Sequence, residues 1–371
     1  MTKRMDTNSF EFSALRTAYC DLSGIISLLQ FTGNKKFTAV PVFSIARDVC
    51  LVLYQINKEI LGSSYELNTE IKKIRHKVKL SSSNNLKMHE EILEFHVEKY
   101  GDDVNNLGFY LEDGHLTGST LYPTYLYYDT TFFKSDNIEK SIFSFFRNIG
   151  AISVKFLQQV SSLSQGKLLF TIPESIILAD DLEYSGKDIP HTSLFTSDKT
   201  KNALITRLLL IQQELVTYIW LKDNITVENV YALNNAGYIL LRLLTMKIDQ
   251  VMDNLKNIQK YLPDYFLELN HKCKSKLLDL MNVYEASISE ECRTLRNMLH
   301  YSSTEVNFYD YLEQRSCKNN KYISLVVDEI VLNFAKPLSA MFSDYFNIAN
   351  LQSMSDMEMI LNRLKSKGFL S

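Results

Sequence analysis

Residues 263–301 read PDYFLELNHKCKSKLLDLMNVYEASISEECRTLRNMLHY, and the periodicity of this stretch governs how the rest of the chain is understood. Pro263 suits the first turn of a helix, where a missing N–H costs nothing. With an advance of about 100° per residue, setting Arg293 at zero puts Arg296 at about −60°, Asn297 at about +40° and His300 at about −20°. Ile288, Cys292, Leu295 and Leu299 group instead at about −100° to −160°, and Leu277 and Met281 extend that apolar stripe. The spacing predicts one amphipathic helix from Pro263 to Tyr301, with an apolar seam and a basic seam that carries a histidine. A structural account stands beside the chemical one. Arg and His near a helix C-terminus also offset the macrodipole and bind the last carbonyls. Tyr301-Ser302-Ser303-Thr304 would then close the helix just after His300.

The remainder of the chain supplies the frame. Its 371 residues are 46% hydrophobic and 22% charged, the balance of a folded protein of one or two domains. A formal net charge of −3 gives no global basic field, so contact with nucleic acid requires a local patch. Cys20, Cys50, Cys273, Cys292 and Cys317 are scattered without a CxxC pair and predict reduced thiols, with neither a disulfide framework nor a zinc site. The N-terminus lacks the apolar run of a signal peptide, and no uninterrupted apolar run approaches the ~18 residues of a membrane span. The expectation is a cytoplasmic protein without membrane contact. Walker A, G-x-G-x-x-G, G-x-S-x-G and kinase signatures are absent, and only 12 glycines are present. No cofactor is called for.

Taken in order, residues 1–40 are polar and mixed, with a turn at Gly33-Asn34-Lys35-Lys36. Helices are predicted over Ser44–Leu61, Tyr65–Leu80 and Leu86–Tyr100, with a loop at Ser81–Asn85. His89 and His96 in the third do not match the zincin spacing, because Leu93 stands where the second imidazole must be. Seven residues separate them by about 10 Å along a helix, too far for one metal, and the expectation is a solvated acidic helix. Asp113-Gly114 between apolar residues is a strong hairpin signal. Leu121–Phe133, rich in Tyr, Thr and Phe, predicts extended structure, with Pro123 at an edge. A long helix follows over Asn137–Leu163, then a short strand over Lys167–Ile172. Residues 173–196 carry two prolines and little periodicity, which makes them the candidate linker. Beyond it the chain is helical, with predicted helices over Ser197–Lys222, over about 227–260 after the start signal Asn224–Glu228, and over Met354–Lys367. Lys321–Phe334 and Ser339–Phe346 flank Pro337 as one kinked helix or two short ones. Residues 304–319 read as a polar connection. The fold class is mainly α, with a helical bundle in the C-terminal half (196–371) and a mixed α/β N-terminal region (1–195) that holds a small hairpin or sheet.

The segment Arg293-Thr294-Leu295-Arg296-Asn297-Met298-Leu299-His300-Tyr301 resembles the signature of HEPN (higher eukaryotes and prokaryotes nucleotide-binding) domains, in which four to six residues stand between an Arg and a His and Asn often follows an Arg. Arg293 to His300 spans six. Arg296-Asn297 supplies the pair but lies only three residues from His300, which leaves open which arginine fills the motif. The resemblance covers nine residues directly, and 197–371 by helical texture. It implies a metal-independent endoribonuclease that dimerises across a shared cleft, of the kind found in toxin–antitoxin and phage-defence systems. Some members of the family only bind. The resemblance implies catalytic roles for Arg293, Arg296, Asn297 and His300, substrate contact by Tyr301, no metal, and three partners: RNA, a second copy, and an antitoxin or regulatory protein. Two other classes stay open: a non-catalytic helical scaffold or protein-interaction module with 1–195 as sensor or partner-binding region, and a nucleotide-binding or other enzyme pocket in the N-terminal half, which a ligand near 107–133 would favour.

Overall fold

A computed structural model of the chain describes residues 9–30, 44–82, 86–102, 104–133, 138–176, 184–225, 234–301 and 306–369. The fold is mainly helical, with a three-stranded antiparallel sheet in the N-terminal half, as expected. The predicted turn at 33–36, the end of the Ser81–Asn85 loop, the start signal at 226–228 and the helix end at 302–304 lie outside the described residues.

Two long helices form the centre, α7 (Lys199–Asn224) and α8 (Asn235–Tyr261). The run Ala203–Tyr218 of α7 is buried without interruption. The run is mostly aliphatic and is buried on every face, with Arg207, Gln212, Gln213 and Glu214 enclosed among its leucines and isoleucines, so α7 lies inside the fold. By length and composition α7 alone among the described helices passes as a membrane span, yet nearly all of that window lies inside the core. Around α7 pack α4 (Leu86–Tyr100), α5 (Leu121–Tyr127), α14 (Lys336–Phe346) and strand β2 (His115–Ser119). Around α8 pack α1 (Phe10–Leu29), α3 (Thr69–Ser82), α11 (Ser289–Asn297) and α13 (Tyr322–Ile330). Outside these, α2 (Ile45–Gln55) packs on α3, and α6 (Ile138–Leu163) packs on α1. Buried side chains from Ala14 to Ile348 join in one hydrophobic cluster.

Strand β1 (Leu107–Glu112) pairs with β2 through the two-residue turn Asp113-Gly114, whose φ values of 49° and 80° are those a tight hairpin demands. Its other edge pairs with β3 (Ser185–Ile189), Leu107 opposite Ile189 and Leu111 opposite Ser185. The candidate linker 173–196 therefore contains a strand. It carries no alternating apolar pattern because it lies at an edge, held by backbone hydrogen bonds to β1.

Several other expectations are corrected. Residues 10–29 are a core helix. Small residues (Ser13, Ala14, Thr17, Ala18, Ser23, Gly24, Ser27) give α1 a polar text, and the same small residues are buried. A Cβ at Gly24 would stand 2.6 Å from that of Ile239, so the glycine is what permits this approach to α8. Leu121–Tyr127 is helical despite its β-prone composition. Pro123 falls in the first turn, where no N–H is missed, and burial of Tyr122 and Tyr125 overrides local propensity. Lys167–Ile172 forms no strand. In the predicted polar connection, α12 (Phe308–Lys318) seats Phe308 in the core and hands Asp310 to Ser13 and Arg16. Around Pro337 the chain runs on as α13, a π-turn (Val331–Ala335) and α14. The π-turn accommodates the missing proline N–H, so the helix continues without a break. Finally, α4 is not solvated along its length. His89 is buried where α4 packs on α7, His96 is buried with Nε2 2.7 Å from Oγ1 of Thr120 between β2 and α5, and burial lowers them to about 3 and about 4.

Candidate functional site

The single helix expected over 263–301 is three: α9 (Pro263–Lys272), α10 (Lys276–Ser287) and α11. Lys274 and Ser275 adopt left-handed φ values of 56° and 63° between the first two, and Ile288 separates the last two. Helix α11 ends at Asn297. Met298, Leu299 and His300 follow in tight turns closed by backbone hydrogen bonds from Leu299 N to Arg296 O and from His300 N to Asn297 O. The apolar stripe holds: Cys292 and Leu295 are fully buried against α8, with Met298 and Leu299 nearly so. The helical angle assigned to His300 does not hold, because the residue lies past the last turn of helix.

The polar residues divide between two neighbours. Arg296 Nη1 makes an ion pair with Asp249 and lies 3.2 Å from Asp253 Oδ2, both on α8 and four residues apart on one face. Asp249 is almost fully buried. Burial raises its carboxyl above the ordinary range, while the nearby Arg296 and Arg293 pull the other way. Arg293 and Asn297 are exposed. His300 turns instead to the π-turn Ile56–Ile60 that extends α2. Its Nδ1 lies 3.2 Å from Glu59 Oε1 and 3.5 Å from Gln55 Nε2. The imidazole is half exposed, whereas the Glu59 side chain retains only 9% of its exposure. A carboxylate accepts only, so Glu59 selects the tautomer with the proton on Nδ1 and the basic lone pair on Nε2.

Tyr301, expected at the substrate, points inward. Its hydroxyl donates to Asp21 Oδ2 at 2.6 Å, and Asp21 also receives Tyr238 at 2.9 Å and Arg242 at 3.1 Å. All four are buried between α1 and α8, and burial together with the Asp21 charge pushes both phenols up. Tyr301 thus anchors the turn that carries His300. The structure brings Arg293 and Arg296 together beside Asp249, and sets His300 against a different element.

Glu59, Gln55, Asp21, Asp249 and Asp253 were not foreseen. Asp249 and Asp253 had a signal in their i, i+4 spacing, whereas Glu59 had none, lying 241 positions from its partner. No group of three or more His, Cys, Asp or Glu able to hold a metal occurs among the described residues. Comparison with models of known protein families, with curated proteins and with solved structures gives no match.

Proposed function

We propose that the chain is a metal-independent endoribonuclease of the HEPN type, with His300 as the proton-transfer group. The Glu59–His300 contact carries this reading. A carboxylate of low exposure orients an imidazole whose ring stays half open to solvent, and general acid–base catalysis uses that arrangement. His300 Nε2 takes the proton from a ribose 2′-hydroxyl as O2′ bonds to phosphorus. The P–O5′ bond breaks, the 5′-oxygen takes up a proton, and a 2′,3′-cyclic phosphate remains. Of the two arginines, Arg293 is the phosphate ligand by this reading, because it is exposed while Arg296 already faces two carboxylates. Asn297 stands exposed beside it to orient the substrate. The reading carries with it a homodimer that joins two such turns across one groove, action as a toxin or in phage defence, and an antitoxin or regulatory partner.

The test is cleavage of a mixed-sequence RNA by the purified chain in EDTA. His300→Ala is expected to remove cleavage by about 10²–10⁴-fold with helical content unchanged. Equal cleavage by that variant, or none by the parent chain, ends the proposal. A second reading, a non-catalytic helical interaction module, draws support from the ion pairs of Arg296. Asp249, Asp253 and Glu59 set three carboxylates around the basic residues and weaken their pull on phosphate. RNA affinity that does not change with salt concentration favours this second reading.

A further inference from the structure

Helix α15 (Asp356–Ser366) starts from a capping box in which Ser355 and Glu358 bind each other's backbone N–H. The segment before it is tied to the sheet. Met354 and Asn105 exchange two hydrogen bonds of 2.6 and 3.0 Å, and Ser353 Oγ donates to Asp188 O of β3 at 2.5 Å. With Met357 set at zero, an advance of about 100° per residue puts Ile360 at about −60°, Leu361 at about +40° and Leu364 at about −20°. Met359 and Asn362 fall on the far side, at about 200° and 140°. Those two face the anchored segment: Met359 Sδ lies 3.9 Å from Asn105 Nδ2, and Asn362 Nδ2 lies 3.2 Å from Met354 Sδ. The apolar stripe therefore points outward. Met357, Ile360 and Leu361 are 65%, 52% and 41% exposed, and none of the described side chains of α15 is buried. An amphipathic helix ordinarily turns such a stripe to a core, and a stripe turned to solvent marks a contact surface.

We propose that this stripe pairs with the α15 of a second copy of the chain, antiparallel, about a two-fold axis between Ile360 and Leu361. Charge selects the occupant. Asp356 and Lys367 lie on one flank of the stripe, at about −100° and −80°, and Glu358 and Lys365 on the other, at about +100° and +80°. Acid thus stands at the start of both flanks and base at the end. An antiparallel two-fold pair sets each flank against its own copy. Each Asp356 then meets the other copy's Lys367, and each Lys365 meets the other copy's Glu358, which goes on capping its own helix. A parallel pair would set Asp356 beside Glu358 and Lys365 beside Lys367, like against like. Antiparallel helix dipoles also attract. Asp356, Lys365 and Lys367 are exposed. Arg363 has a contact of its own, and the pairing does not require it. An anionic membrane surface suits the stripe less, because acidic residues flank its first half. Eleven residues give an interface under about 1,200 Å², so the association is weak and grows with concentration. It shares no residue with the Glu59–His300 contact and does not depend on RNA cleavage.

The full chain is followed by sedimentation velocity over a wide concentration range. Its mean mass is expected to rise reversibly with concentration. Ile360→Glu, at an exposed position, should weaken that association about tenfold or more with helical content unchanged. Orientation is read at the highest concentration in chains that carry Cys317→Ser and one new cysteine. Met357→Cys and Leu364→Cys should each stay uncrosslinked alone under mild oxidation and form a disulfide when mixed, because an antiparallel pair sets 357 against 364. No association at any concentration, with or without binding to phosphatidylserine vesicles, overturns the proposal. Association indifferent to Ile360→Glu runs through another face and overturns it too. Cross-linking of each variant alone as readily as of the mixture excludes the antiparallel pair.

Discussion

Glu59 Oε1 and His300 Nδ1 stand 3.2 Å apart, although one belongs to a π-turn at the end of the second helix and the other to a turn behind the eleventh. The π-turn matters here. An extra residue in the turn rotates the helix end, and such insertions are frequent at functional sites. In Glu59→Gln the amide can still meet Nδ1, but the negative charge that favours Nδ1–H is gone. RNA cleavage is expected to fall about 10- to 100-fold, the usual size of losing an orienting partner. An unchanged rate would mean that Glu59 does not orient the base.

Arg293 and Arg296 should separate cleanly. Arg296→Ala removes the ion-pair partner of the buried Asp249 and is expected to lower stability by about 1–3 kcal/mol, read from the midpoint of urea unfolding. Arg293→Ala, on an exposed helix face, should stay within about 0.5 kcal/mol of the parent while it weakens RNA binding and flattens its salt dependence.

Acid should destabilise the fold through two histidines. Burial holds His89 down to about 3 and His96 to about 4, against 6.5 for the free side chain. Below pH 6.5 the unfolded chain takes up protons that the fold refuses, so stability rises with pH toward 6.5 and is lost as pH falls. Glu214 works in the opposite sense. Burial raises it from 4.5 to about 7 although Arg47 is 2.7 Å away, so its contribution is full below pH 4.5 and lost as pH rises to 7. His89→Leu is expected to reduce the slope of unfolding free energy against pH between 4 and 6.5 by up to one proton, most at about pH 4.5–5. An unchanged slope would show His89 to be accessible to protons in the fold.

Gly24→Ala tests the helix packing. The new methyl would sit 2.6 Å from Ile239 Cβ, so α1 must retreat from α8, at a cost of about 1–3 kcal/mol of overpacking. A melting temperature equal to or above the parent's would show that the two helices do not pack this closely.

What lies locally in the chain was legible from the sequence. The Asp113-Gly114 hairpin, the long α6, the apolar α7 and the buried stripe Cys292–Leu295–Leu299 all follow from periodicity and turn chemistry, which act between neighbours. The class, mainly α with a small sheet, follows from them too. Tertiary structure decided the rest, wherever a distant partner outweighs local preference. Burial turned Leu121–Tyr127 from strand text into helix, and the free edge of β1 recruited Ser185–Ile189 from an apparent linker. Small buried residues made a core helix of Phe10–Leu29. Left-handed residues at 274–275 cut one expected helix, and past its end His300 answers to Glu59 while Tyr301 answers to Asp21. Periodicity can place a side chain on a helix face, but only the packing of remote elements supplies the carboxylate that meets it.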